Sequence, residues 1–158
     1  MNNQPSYSVE REFDIPLEIL WAAWTDPDAL QVWYHEVGMC SVPRSVQSEA
    51  EVGGAWSVAI DVPELKFVAY FYGEYTAVVD QARLEHTMFH TQSVDEFNAK
   101  DKTLEHHNIR IEFEAKDFRS WVKYSRFGDL PESEALQAQA GTESLFDSLI
   151  DYLSIKDR

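Results

Sequence analysis

Pro16-Leu-Glu-Ile-Leu-Trp-Ala-Ala-Trp-Thr-Asp-Pro27 and, far downstream, Gly141-Thr-Glu-Ser-Leu-Phe-Asp-Ser-Leu-Ile-Asp-Tyr-Leu153 decide the fold, because most of what lies between them alternates as strands do. In the first stretch Pro16 suits the opening turn of a helix, where its missing N–H costs nothing. Leu20, Ala23 and Trp24 then share one helical face at i, i+3 and i+4. Asp26 followed by Pro27 repeats the start signal, a capping carboxylate before a proline at the first helical position. Two short helices are therefore expected near 16–25 and 27–33. In the second stretch Gly141, Leu145, Phe146, Leu149, Ile150 and Leu153, with Ala138 before them, keep the 3.6-residue spacing of one buried stripe. A long helix from about Ser133 to Leu153 follows, with Gly141 marking either a kink or the start of its packed part.

Working outward, Tyr7, Val9, Arg11, Phe13 and Ile15 alternate with Ser8, Glu10, Glu12 and Asp14, the period of a half-buried strand. Further strands are expected at Ser45–Glu51 and Ala55–Val62, joined by a tight Val52-Gly53-Gly54 turn. Others follow at Lys66–Val79, with a bulge at Gly73, and at Arg83–Gln92, Thr103–Glu114 and Phe118–Phe127. Ser93–Lys102 reads as a plain polar connection. The order is one strand, two helices, six strands and a helix. That order predicts an α+β domain spanning 1–158, a curved antiparallel sheet of six to seven strands wrapped round one long C-terminal helix. A concave sheet covered by a single helix leaves volume between the layers where a small molecule can sit.

Composition narrows the function. With 28 Asp and Glu against 13 Lys and Arg, the formal net charge is −15, and no basic cluster stands out. Phosphate backbones and anionic lipid surfaces repel such a chain, so nucleic acid is not an expected partner. No apolar run approaches the ~18 residues of a membrane helix, and no basic-then-apolar leader opens the chain. Membrane insertion is not expected. The single cysteine, Cys40, favours a reducing, cytoplasmic setting and has no neighbouring base to activate it. No GxSxG, GxxxxGK[ST], HExxH or CxxC motif occurs, and no catalytic residue, cofactor or metal is assigned.

The histidines carry more interest. His86 and His90 are four apart on one strand and share a face. If that strand pairs with Thr103–Glu114, His106 falls roughly opposite His90 and His107 points away. Such a set could bind a metal or present polar handles to a ligand. The plainer reading makes His90 and His106 solvated residues near a sheet end, and His86 a hydrogen-bonded core residue. For the ligand pocket, the stripe Leu145, Phe146 and Leu149 faces the sheet. Trp56, Phe71, Tyr75, Met88, Ile111 and Phe113 are the expected lining, and His86 is a polar group among them. The alternative for these apolar residues is ordinary core.

Val9–Ile15 with Pro16, the run Leu20-Trp-Ala-Ala-Trp-Thr-Asp-Pro27 and Trp33 resemble the SRPBCC (START-like, Bet v 1-like) superfamily. Glu51-Val-Gly-Gly-Ala-Trp56, Gly73-Glu-Tyr75, Arg83-Leu84 with Thr87, and Gly141 through Leu153 narrow the resemblance to the branch related to the activator of the heat shock protein 90 ATPase. The resemblance covers nearly the whole chain and implies the helix-grip fold. It implies no single function, since the superfamily includes lipid binders, cyclases, receptors and chaperone activators. Two departures stand out: Gly141-Thr142 replaces a customary Gly-Trp, and Tyr34-His35 follows Trp33 where the branch tends to have a second Trp and a Gly. Thr142 in place of Trp is expected to widen the pocket. Three readings follow. The first is binding of a small hydrophobic or amphipathic ligand. The second is a protein-interaction module, able to take a protein partner or a second copy. The third is a cavity enzyme, cyclase- or hydrolase-like, with His86 or a buried acid as base.

Overall fold

A computed structural model describes residues 4–156. The chain runs β1 (Tyr7–Phe13), α1 (Leu17–Thr25), α2 (Pro27–Trp33), β2 (Cys40–Ser41), β3 (Gln47–Ser48), β4 (Ala55–Val62), β5 (Phe67–Val79), β6 (Arg83–Thr91), α3 (Val94–Ala99), β7 (His106–Lys116), β8 (Arg119–Phe127) and α4 (Glu132–Lys156). Every strand pairing is antiparallel, in the order β1-β8-β7-β6-β5-β4-β2, with β3 also beside β4. The sheet curls round α4, which buries Thr142, Leu145, Phe146, Leu149 and Leu153. This is the α+β helix-grip architecture. Ile150, expected in the buried stripe, lies at its solvent edge and is 39% exposed.

The two short helices fall where the capping signals place them: Asp26 accepts from the Asp28 N–H at 2.9 Å, with Pro27 opening α2. They drive aromatic side chains into one half of the grip. Trp24 is the hub, edge-on to Trp33 at 4.7 Å, to Phe146 at 6.0 Å and to Phe113 at 6.3 Å. Trp21 meets Phe113 at 5.1 Å, and Tyr34 meets Trp56 at 5.6 Å. The Trp33 indole N–H donates to the Ala23 carbonyl at 2.8 Å, which locks α2 onto α1. Each buried ring adds an apolar load and a preferred edge-to-face contact. That half of the concave face is consequently solid core.

Four local expectations change. The strand expected at Ser45–Glu51 shrinks to Gln47–Ser48, and Cys40–Ser41 supplies a second short piece of the same edge. Pro43 lacks an N–H and Arg44 sits at φ 64°, so the edge is interrupted between them. The bulge expected at Gly73 lies instead between Tyr75 and Ala77. Gly73 serves close approach: a Cβ there would stand 1.9 Å from the Thr87 carbonyl oxygen of the neighbouring strand. The connection Ser93–Lys102 contains α3, whose N-terminus is capped by the Ser93 hydroxyl accepting from the Glu96 N–H at 3.3 Å. Phe97 of α3 packs on the outer face of the sheet with Tyr70, Tyr72 and Phe89.

The fourth change is one of register. Phe89 pairs with His106 and Met88 with His107, one residue from the expected alignment of His90 with His106. A slip of one exchanges the two faces of a strand. His106 therefore lies on the outer face against Phe89, ring centroids 4.8 Å apart, and His107 belongs to the concave face. The grouping of His86, His90 and His106 on one face does not form.

Candidate functional site

The other half of the grip is open. Between the sheet and the first turns of α4 lies a cavity of about 500 Å³. Its depth is set by Tyr34, Ile60, Val62, Ala69, Met88, Tyr124, Thr142 and Leu145, all buried. Phe67 and Phe71 supply further apolar wall, while the exposed Leu65, His90, Glu134 and Gln137 form the rim. Strand alternation explains the set: Ile60 and Val62 of β4 oppose Ala69 and Phe67 of β5, and Phe71 opposes His90 of β6. Small residues on α4 make the space. Ala138 and Gly141 line it, and Thr142 stands where a larger side chain would enter.

The polar groups of the cavity are few and placed by β1, β7, β8 and α4. The Thr142 hydroxyl donates to the Ala138 carbonyl at 3.1 Å, so it accepts from the Tyr7 hydroxyl at 2.9 Å. Tyr34 and Tyr124 are fully buried phenols, both pushed up by burial; each therefore stays protonated near neutrality. Arg126 of β8 sits across from Tyr7, and its Nη2 donates to His107 Nδ1 at 3.3 Å. A guanidinium only donates, so the His107 proton resides on Nε2. Burial, together with the Arg126 charge, drives His107 down to about 3. The imidazole is neutral throughout the physiological range.

Of the residues named from the sequence, Phe71, Met88, Thr142 and Leu145 line this cavity. It does not bring the other expected residues there. Trp56, Tyr75, His86, Ile111, Phe113, Phe146 and Leu149 are buried in the packed half, among the aromatics that α1 and α2 insert. His86 stacks on Trp56 at 4.2 Å and meets Tyr75 edge-on at 5.9 Å. Its Nδ1 donates to the Thr87 carbonyl at 2.8 Å, leaving the unprotonated Nε2 buried without a partner. Burial holds it down to about 4. His86 thus has the character of a core residue, outside the reach of the cavity.

Tyr7, Tyr34, Tyr124, His107 and Arg126 were not anticipated as site residues. A signal existed for Arg126: it follows Val122 and Tyr124 at strand parity, which puts a guanidinium on a buried face, where an unpaired charge is rare.

A one-sided sheet closed on a helix, with an apolar chamber at one end, defines a helix-grip container. Residues 14–154 match the family described as Activator of Hsp90 ATPase homolog 1-like protein, and the chain belongs to that family. Among solved structures, an AHSA1 protein from Silicibacter pomeroyi superposes with a TM-score of 0.78 at 16% identity, over 95% of this chain and 98% of that one. A protein from Nitrosomonas europaea gives 0.77 at 16% identity over 99% of both chains. One from Staphylococcus epidermidis gives 0.77 at 19% identity, over 98% of this chain and 93% of that one. At such identities the likeness shows the fold alone. No curated protein matches. Among the described residues, no helix is long and apolar enough to cross a membrane.

Proposed function

We propose that the chain acts as one unit, in the cytoplasm, to hold a small hydrophobic or amphipathic molecule in the cavity between the sheet and the start of α4. The observation that carries this reading is the chamber itself: about 500 Å³ walled mainly by Ile60, Val62, Phe67, Ala69, Phe71, Met88 and Leu145. Ligand sites elsewhere have this size and this mix of apolar wall with a few fixed polar groups. Burying each Leu-sized fragment of a ligand contributes about 2 kcal/mol, so micromolar affinity, about 8 kcal/mol, is within reach of a medium-sized apolar body.

The test is titration of the full chain with Nile red, read by blue shift and enhancement of emission, with native mass spectrometry for any co-purified molecule. Thr142→Trp fills the chamber from α4. A variant that retains the wild-type circular dichroism and binds the dye at least tenfold more weakly supports the reading. Wild-type protein that binds no apolar dye, or a folded Thr142→Trp that binds it equally well, refutes it.

A protein-interaction role is the second reading, favoured by membership of a family described by its activation of a chaperone ATPase. The net charge of −15 would suit a basic partner surface. Weak or no stimulation of an Hsp90-type ATPase is expected from this chain alone, and several-fold stimulation in a coupled assay puts this reading first.

A further inference from the structure

Arg126 is out of keeping with the rest of the molecule. Arg11, Arg83, Arg110 and Arg119 are each within ion-pair distance of a carboxylate, and Arg44, which is not, is exposed to solvent. Arg126, in a chain with more than twice as many acids as bases, has none within 4.0 Å among the described residues. Among the described residues its side chain makes one hydrogen bond, to His107 Nδ1. Both residues line the cavity; Arg126 Nε and His107 Nε2 are sealed within its wall, so a ligand meets Arg126 through the terminal guanidinium nitrogens. A permanent cation in a largely apolar wall with no carboxylate beside it is costly unless something negative completes it.

The surrounding groups sharpen the requirement. Tyr7 spends its hydroxyl proton on Thr142. Tyr34 and Tyr124 remain neutral phenols. The carboxylates that line the cavity, Glu36 and Glu134, come from the α2–β2 connection and from α4, across from the sheet strand that carries Arg126. One positive pole on the sheet side and two negative groups on the helix side favour a ligand with a single negative charge at one end. A dianion would meet repulsion from Glu36 and Glu134.

Resting on the cavity reading above, we propose that its ligand is a monocarboxylate of amphipathic form, with the carboxylate on the Arg126 guanidinium and the apolar body against Phe67, Phe71, Met88 and Leu145. A guanidinium offers the carboxylate charge-assisted hydrogen bonds that an alcohol or ester cannot match. The arrangement separates acids from neutral compounds of the same length, while the apolar wall sets affinity within the acids.

The test is displacement of Nile red from the full chain by decanoate and by decanol near pH 7.5, using wild type, Arg126→Met and Arg126→Lys. Wild type is expected to take decanoate at least tenfold more tightly than decanol. Arg126→Met should lose that preference, with each compound's displacement referred to the variant's own Nile red affinity; Arg126→Lys should keep part of it. In wild type alone, the Arg126 Nε–H resonance should shift on adding decanoate and stay in place with decanol, a readout that depends on no variant folding. Equal affinity for the two compounds in wild type, a preference that survives Arg126→Met, or an unmoved Nε–H resonance overturns the proposal while leaving the cavity reading intact. Failure of Nile red to bind wild type removes the cavity reading and this proposal with it.

Discussion

His86 makes the fold sensitive to acid in a way that can be isolated by one substitution. The residue is 1% exposed, stacked on Trp56, and burial lowers its pKa from an ordinary 6.5 to about 4. Between pH 6.5 and 4 the unfolded imidazole binds a proton that the folded one refuses. The unfolded state then holds more protons, so stability falls as pH drops through that window and is flat above it. From pH 7.5 to 5.0 the loss is set by the 1.5 units separating 5.0 from the unfolded pKa, about 2 kcal/mol at about 1.4 kcal/mol per unit. His86→Leu removes the titrating group at similar volume. It sacrifices a ring stack worth about 1 kcal/mol and the bond to the Thr87 carbonyl, about 1 kcal/mol, and relieves the buried, unpartnered Nε2, a gain of about 1–3 kcal/mol. The variant should therefore lie within about 1 kcal/mol of wild type at pH 7.5. Urea unfolding followed by tryptophan emission, at pH 7.5 and 5.0, measures both terms with a common m-value. Every other ionisable group is common to both proteins, so the difference between the two pH-induced losses belongs to His86. If wild type and His86→Leu lose equal stability to within about 0.5 kcal/mol, the folded imidazole is not held neutral and the burial argument is wrong.

Two glycines should respond in opposite senses. Gly73→Ala places a Cβ 1.9 Å from the Thr87 carbonyl oxygen, a backbone atom that cannot yield without breaking the β5–β6 pairing; thermal unfolding should report a loss of about 3 kcal/mol or more. Gly141→Ala meets only the Glu36 carboxylate, at 3.2 Å, the end of a side chain that can move. The same assay should show a gain of about 0.5–1 kcal/mol from helix propensity.

The sequence carried the architecture because periodicity and capping are local. Asp26-Pro27 fixed the α1–α2 joint, and the 3.6-residue stripe fixed the inner face of α4. It carried the site less well, because the site depends on how elements fill space together. Nothing local tells that Trp21, Trp24 and Trp33 converge on Phe113 and Phe146, which makes core of the region expected to be pocket. α3 was legible: Ser93-Val-Asp-Glu96 has the spacing of a capping box. The register of β6 on β7 is set by pairing across the sheet, which no local pattern at His106 marks. The parity of Val122, Tyr124 and Arg126 would have put a cation on the concave face, which composition alone cannot do.

The pairing of β1 with β8 has a kinetic side. Tyr7 pairs with Arg126 across nearly the whole length of the sheet-forming chain. Closing so long a loop costs entropy before any contact repays it, and folds dominated by such pairings complete in milliseconds to seconds. Tyr7, Arg126 and Thr142 all line the chamber, so its walls need both that pairing and α4. During synthesis the chamber cannot exist until α4 has left the ribosome.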